Sequence, residues 1–400
     1  MGLTHASIIP LIGGLPLGAD IGFEDRTKFL VSYEAFWNND RHIVNYYADV
    51  PYYVLDKGER PTQKIDVITS TCPCAGLSMM HNSYGDDNEN NRWMPIAAEY
   101  VLGEYKPQVY FGENAPALAG NVGRNVRKSL YDIGRKHGYS MFLYRTKSLL
   151  HGSPQVRERS FYFFFKGDRV PVFERFNRPH TKIEDLIRNV KSNFQMESIN
   201  KDIPSEDPYY KFVLNEIHGG MTHREFSQIA EMGTSVRSMD IFAYIENKGY
   251  TYKDLAKWMG EHGYDREVAK CERRFAKLQS GGGIMVRGVI IPKDYIGAFV
   301  GWYPTSLTHP DEDRFITYRE AMTIMGLPSD FELLDAGPKT YNHICQNVPV
   351  ITAADMAAEV KATLEGKREW VDATLAIQYN QNGRYEMVER SKEPALTAFF

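Results

Sequence analysis

Over the first 170 residues, short apolar runs alternate with amphipathic stretches. "ASIIPLIGGLPLGADIGF" reads as a strand, a glycine-rich turn and a helix. "FLVSYEAF" is a second strand, followed by the helical pattern of "WNNDRHIVNYYADV". "KIDVITS" is short and apolar, as a strand buried on both faces should be. "MPIAAEYVLGEYK" is helical, "PQVYFGENA" is a strand, and "GRNVRKSLYDIGRKHGY" is a helix closed by Gly138. "SMFLYRTKS" and "SFYFFFKG" are further strands. This alternation predicts an α/β domain on a mainly parallel sheet, over residues 1–169.

Beyond it the pattern changes. Residues 170–310 mix helices ("KIEDLIRNVKSNF", "EVAKCERRFAKLQ"), a strand ("IMVRGVII") and irregular Pro- and Gly-rich stretches, predicting a second, smaller domain over 170–338. A helix, "ITAADMAAEVKATLEG", lies in a 339–400 segment expected to return to the first domain. The tail from Glu369 onward has no obvious place in this scheme.

Composition narrows the class. Hydrophobic residues make up 43% and aromatics 13% of the 400 residues, enough for a sizeable core and too many for disorder. No apolar stretch is long enough to span a bilayer, and the first residues lack the basic region of a secretory signal. Four scattered cysteines suit a reducing cytoplasm rather than a disulfide scaffold. The net charge of −4 is no nucleic-acid signature, yet Gly123–Val190 holds fifteen basic and six acidic residues, a net of +9. Such a local basic face suits a polyanion in a groove, or is an ordinary charge fluctuation.

Four stretches carry candidate chemistry. Gly13-Gly14 lies between a strand and a helix, where backbone N–H groups can approach a ligand. Glu34 lies 20 residues past Gly14, about where a nucleotide-binding fold places the carboxylate for ribose hydroxyls. With no pyrophosphate fingerprint, a nucleoside cofactor such as S-adenosylmethionine fits better than a dinucleotide; a plain α/β turn with a solvated Glu would look the same. "TCPCAGLS" (71–78) places Cys72 and Cys74 at the exit of a buried strand. As metal ligands they lack soft partners, since Cys271 and Cys345 are isolated, so no metal is expected. They are either inert core thiols or a nucleophile and its neighbour at a ligand-binding sheet edge. Glu113 ends another strand, and Gln155, Arg157 and Arg159 alternate on one face of an extended segment. Two arginines on one face suit a phosphate or carbonyl; an exposed charged edge strand is the plainer alternative.

The order of these stretches resembles that of the DNA (cytosine-5) methyltransferase family across most of the chain. Pro73-Cys74 is similar to the family's nucleophile motif, Glu113-Asn114 to Glu-Asn-Val, and Gln155-x-Arg157-x-Arg159 to Gln-x-Arg-x-Arg. "RFITYREAMTIMGLPSDF" (314–331) resembles the helix supporting the recognition domain, and "QNVPV" (346–350) the closing Gly-Asn-x-Val motif. The sequence departs from the pattern at Ile9 (usually Phe), Leu11 (Gly), Ala75 (Gln), Ala115 (Val) and Gln346 (Gly). These departures suggest a divergent branch, compatible with a phage or mobile-element origin.

The resemblance implies a Rossmann-like, S-adenosylmethionine-dependent methyltransferase domain plus a smaller target-recognition domain. Cys74, Glu113, Arg157 and Arg159 are implied as catalytic. Ile9, Gly13, Gly14, Glu34, Asp49, Pro73, Asn347 and Val348 are implied at the cofactor. Ser78, Arg92, Gln155, Arg273, Arg274 and Arg287 are expected at DNA, and "SMMHNSYGDDNENNR" (78–92) as a lid. The implied partner of this cytoplasmic, monomeric enzyme is double-stranded DNA. A tRNA-modifying enzyme and a non-catalytic DNA-binding protein on the same fold are the alternatives.

Overall fold

The computed structural model describes residues 2–78, 85–231, 235–236, 241–282, 288–301, 303–335 and 340–391. The chain forms two compact units. The first comprises Met1–His180, Met325–Leu334 and Asn347–Phe400; the second comprises Thr181–Ile324 and Asp335–Gln346.

The first unit is built on a nine-stranded sheet: β1 (His5–Ile8), β2 (Leu30–Ser32), β3 (Tyr52–Val54), β4 (Val67–Ser70), β5 (Val109–Asn114), β6 (Tyr139–Lys147), β7 (Glu158–Lys166), β8 (Ala373–Tyr379) and β9 (Tyr385–Arg390). Their spatial order is β9-β8-β6-β7-β5-β4-β1-β2-β3. Neighbours from β3 to β5 run parallel, as do β6 and β8; β7 is antiparallel to both its neighbours, and β9 to β8. β4 and β5 are buried throughout, and β7 from Ser160 to Phe165, as their apolar runs require. Helices α1 (Gly14–Phe23), α2 (Trp37–Tyr46), α3 (Trp93–Tyr100), α4 (Arg124–Lys136) and α5 (Val350–Leu364) complete the α/β architecture expected from the sequence.

Three features differ from expectation. Tyr52–Val54 makes a strand that is too short to show a period. The tail supplies β8, which extends the sheet beyond β6, and β9, which folds back on it. The first unit runs to His180 rather than to 169: Val170-Pro171 pairs antiparallel with Trp370-Val371, and Phe173 packs edge-on against Phe142 and Phe163. Residues 325–334 also belong to the first unit, and 340–346 to the second.

α1 and α5 lie against each other with almost no side chain between them. Gly14, Gly18 and Gly22 are spaced four apart on one face of α1. A Cβ on Gly18 would sit 2.4 Å from Ala353 Cβ, and one on Gly22 would sit 2.6 Å from Ala357 Cβ. At Gly14 it would sit 2.1 Å from the Val348 carbonyl oxygen. The approach brings Asn347 to the head of α1, where its Oδ1 accepts the Gly14 N–H at 2.7 Å across 333 residues of sequence. A buried chain fixes α5 at its other side. His151 Nδ1 lies 2.7 Å from Asp355 Oδ2, His151 Nε2 lies 2.7 Å from Thr146 Oγ1, and Arg178 pairs with Asp355 at 2.8 Å.

This packing decides the sign of one substitution. Helix propensity alone favours Gly18→Ala by about 1 kcal/mol. Forcing the helices apart costs about 1–3 kcal/mol, occasionally more. Gly18→Ala is therefore expected to be neutral to destabilising by about 2 kcal/mol in urea unfolding of the full chain. A gain of about 1 kcal/mol, as propensity alone predicts, would contradict the close packing.

Candidate active site

The carboxyl ends of β1, β2, β4 and β5 lie at one edge of the sheet, in register: Ile8 pairs with Ser70, and Ser70 with Gly112. Antiparallel β7 begins at this same edge, with Ser160 opposite Asn114. The edge thus gathers the glycine turn, Glu34, Cys74, Glu113, Arg157 and Arg159, which are scattered in sequence.

Cys74 ends the extended segment after β4 and opens a short turn of 3-10 helix, Ala75–Leu77. Asn114 holds this segment down: its Nδ2 donates to the Cys72 and Pro73 carbonyls at 3.5 and 3.4 Å. Gly76 presses on Asn91, whose Nδ2 donates to the carbonyls of Gly85 and Asp86 at 2.8 and 3.0 Å. The Asp86 carboxylate accepts the Asn125 and Val126 N–H groups at the head of α4. Burial distinguishes the two cysteines. Cys74 is half-buried; Cys72 is 2% exposed, with its Sγ 3.1 Å from Ser70 Oγ. Burial pushes the Cys72 thiol up to about 11, so it stays protonated and unreactive at neutral pH.

Glu113 is buried and forms an ion pair with Arg159, Oε1 to Nε at 2.5 Å. Arg157 is also buried, and its backbone is anchored by the Ser148 N–H donating to its carbonyl at 2.9 Å. Pro73 is half-buried beside Cys74, and Ser78 closes the turn. Gln155, expected at DNA, is instead fully buried with its Nε2 3.3 Å from Met325 Sδ, so it packs within the unit. Arg92 is exposed, pairs with Glu89 at 2.8 Å and lies over the Trp93 ring. Residues 79–84 of the expected lid lie outside the described residues, as does Arg287.

On the cofactor side, Gly13 takes φ 103°, open to glycine but strained for other residues. Ile9 and Leu11 also take positive φ, 51° each, in a region that costs an L-residue roughly 1–2 kcal/mol. Both side chains sit in the hydrophobic core, where burial worth about 1.5–3 kcal/mol each offsets that strain. The Ile9 N–H donates to Val31 O at 2.8 Å and its carbonyl accepts from Thr71, so Ile9 shapes the turn from beneath. Glu34 opens the segment after β2, exposed, with its N–H bound by the Asp56 carboxylate at 3.0 and 3.2 Å and its own carboxylate 3.1 Å from Lys57. Asp56 follows β3 at the same edge; it was missed because β3 was missed. Asp49, expected at the cofactor, instead precedes β3 at the opposite edge, exposed and paired with Arg26 at 2.6 Å. Val348 is buried in the core behind Gly14. Asn347 Nδ2 is buried with no hydrogen-bond partner among the described residues. An unsatisfied amide at the head of α1, a ribose-type carboxylate at the end of β2 and glycines in the turn between fit an amino-acid nucleoside such as S-adenosylmethionine.

Beneath this turn lies Asp40, fully buried, accepting from Tyr52 OH at 3.0 Å. Burial raises its pKa to about 7. Below about pH 4 the carboxyl is neutral in folded and unfolded chains alike; between about 4 and 7 only the unfolded chain ionises, so stability falls with rising pH. Asp40→Asn is expected to remove this fall, becoming progressively more stable than the wild type from pH 4 to 7 with a constant difference above. Parallel pH–stability curves for the two proteins would contradict it.

In the second unit Arg273 is exposed. Arg274 turns inward, donating to Tyr209 OH at 2.8 Å with its guanidinium over the Tyr209 ring, which removes it from the expected DNA contacts.

Comparison with known proteins gives the family. Residues 21–362 match the family model for C-5 cytosine-specific DNA methylase. The chain is 23% identical over 305 residues to the type II methyltransferase M.PspPI of Psychrobacter sp., covering 72% of this chain and 61% of that protein. It is 24% identical over 334 residues to the type II methyltransferase M.Bpa9945I of Bacillus paralicheniformis, covering 76% and 71%. In fold it is similar to a putative DNA modification methyltransferase encoded within a prophage of E. coli, with TM-score 0.55 and 17% identity over 91% of this chain and 99% of that one. It is also similar to the Entamoeba histolytica methyltransferase EhMeth, with TM-score 0.52 and 12% identity over 91% and 99%. The chain belongs to the C-5 cytosine-specific DNA methylase family.

Proposed function

We propose that this chain methylates C5 of cytosine in double-stranded DNA. The observation that carries the reading is the gathering of a half-buried thiol, Cys74, and a buried Glu113–Arg159 pair at one sheet edge, beside a turn suited to a nucleoside. Cytosine C5 is a poor nucleophile. Addition of the Cys74 sulfur to C6 makes C5 enamine-like and able to attack an electrophilic carbon. Glu113 hydrogen-bonds N3 and the exocyclic amine, stabilising the ring as charge develops. Arg159 holds the Glu113 carboxylate in place, and the buried Arg157, two residues before it, is assigned to O2 of the base. S-adenosylmethionine, when bound, supplies the methyl group. Glu34 would hold its ribose hydroxyls, and Asn347 Nδ2 would donate to the carboxylate of its amino-acid end. The transfer leaves S-adenosylhomocysteine; loss of the C5 proton to water and elimination of the Cys74 thiolate from C6 then restore the aromatic ring and free the enzyme.

These atoms are unreachable inside a duplex, so the base is flipped out at a cost of a few kcal/mol. The second unit serves as the target-recognition domain in this reading, with Arg273 available to DNA.

Two outcomes are expected. DNA containing 5-fluorocytosine cannot lose its C5 substituent as a proton, so a complex that survives denaturation forms with the wild type and with Cys72→Ser but not with Cys74→Ser. Trapping by Cys74→Ser equal to the wild type would refute the nucleophile. Glu113→Gln is expected to lower single-turnover methyl transfer by about 10²–10⁴-fold, the span of acid–base contributions. A rate within a few-fold of the wild type would remove Glu113 from the chemistry.

A further inference from the structure

The Tyr252–Glu261 helix of the second unit is opened by a capping box, in which Thr251 Oγ1 and the Asp254 carboxylate satisfy each other's backbone N–H groups. Three residues, His262–Tyr264, join it to the longer Asp265–Gln279 helix, with Gly263 at φ 76° in the turn. This is a helix–turn–helix connection. The second helix faces the unit's core with Val268, Cys271, Phe275 and Leu278. Tyr252 and Phe275 stack with ring centroids 3.7 Å apart, fastening the two helices together.

The opposite face is basic. Arg266, Lys270, Arg273 and Lys277 stand four, three and four residues apart. At 3.6 residues per turn they fall within an arc of about 60°, on a line about 16 Å long. Arg266, Arg273 and Lys277 are exposed and form no ion pair among the described residues; Lys270 is 43% exposed and shares its charge with Glu267 at 2.5 Å. The exposed acids of the helix, Asp265 and Glu272, lie about 80° and 100° around from the nearest member of the stripe. Small residues border it: Ala269, Ala276 and Ser280 leave room for a broad polyanion to approach. Arg274, one position off the line, is withdrawn to Tyr209.

We propose that this stripe lies along the phosphate backbone of duplex DNA, making the Asp265–Gln279 helix the electrostatic footing of the second unit on its substrate. The inference rests on the reading of the chain as a DNA-modifying enzyme. Charge complementarity selects the occupant. A straight row of cations rising about 4.5–6 Å from one to the next matches a rigid, evenly charged strand. The chain as a whole is acidic, at −4, so the stripe is not a share of a general positive charge.

The test is the salt dependence of binding by the full chain to a short duplex of scrambled sequence, read by fluorescence anisotropy. Each phosphate contact contributes about −0.9 to the slope of log K against log salt. Arg266→Gln/Lys270→Gln/Arg273→Gln/Lys277→Gln is expected to flatten the slope by about 3–4 and to weaken binding about 10²–10³-fold near 0.1 M salt. Arg273→Gln alone should flatten it by about 1. A control that removes four charges from the amino edge of the first unit, Lys106→Gln/Lys166→Gln/Lys367→Gln/Arg390→Gln, should leave the slope unchanged. S-adenosylhomocysteine binding and thermal unfolding report that each variant is folded. If the wild type binds and methylates DNA while the stripe variant keeps its slope, the stripe is overturned and the DNA reading stands. If the wild type neither binds nor methylates DNA, the DNA reading fails and the stripe with it. Loss of slope with RNA but not with duplex DNA overturns the choice of partner.

Discussion

The close approach of α1 and α5 sets the geometry on which the candidate site depends. Three glycines on one face of α1 and three alanines, Ala353, Ala354 and Ala357, on α5 let two backbones meet with scarcely a side chain between them. Only at that separation does Asn347 reach the head of α1 and satisfy the Gly14 N–H. The Asn347 Oδ1 is thereby engaged while its Nδ2 is buried with no hydrogen-bond partner among the described residues. A buried donor left unmade is costly, so the fold holds open a position that an acceptor on a ligand can fill. The same contact explains how residues near the end of the chain belong to a turn near its beginning.

At the chemical end of the site, burial does the discriminating. Cys72 and Cys74 are chemically alike and two residues apart, yet one is enclosed against Ser70 and Tyr162 and the other is half-buried in the turn that follows β4, at the sheet edge where β5 also ends. Asn114 joins the two halves of this arrangement: it follows Glu113 on β5 and hydrogen-bonds the carbonyls of Cys72 and Pro73. A thiol and a carboxyl group carried on adjacent parallel strands and tied by Asn114 are held in a fixed relation, the preorganisation that the proposed reaction requires.

Much of the first unit was legible in the sequence because its strands are buried on both faces and read as apolar runs. β3 was not, because three half-buried residues carry no period, and Asp56 was missed with it. The terminal strands were not, because β8 depends on the exposed flank of β6, a partner that lies some 230 residues away and is invisible locally. Asp49, implied at the cofactor by the resemblance, lies beyond helix α2, which carries the chain to the opposite edge of the sheet. Gln155 and Arg157 are buried and Arg159 is half-buried against Glu113, so a pattern that reads equally as an exposed edge turns inward. Arg273 and Arg274 are adjacent and identical in type; only packing against Tyr209 separates them.

The claim that Cys74 and Glu113 activate C5 of cytosine is tested most directly by the fate of the C5 hydrogen. With duplex DNA tritiated at C5 of cytosine and S-adenosylmethionine carrying a labelled methyl group, tritium should appear in water in step with methyl incorporation, one for one. Methyl incorporation without tritium release would place the reaction at another atom of the base and contradict the assignment.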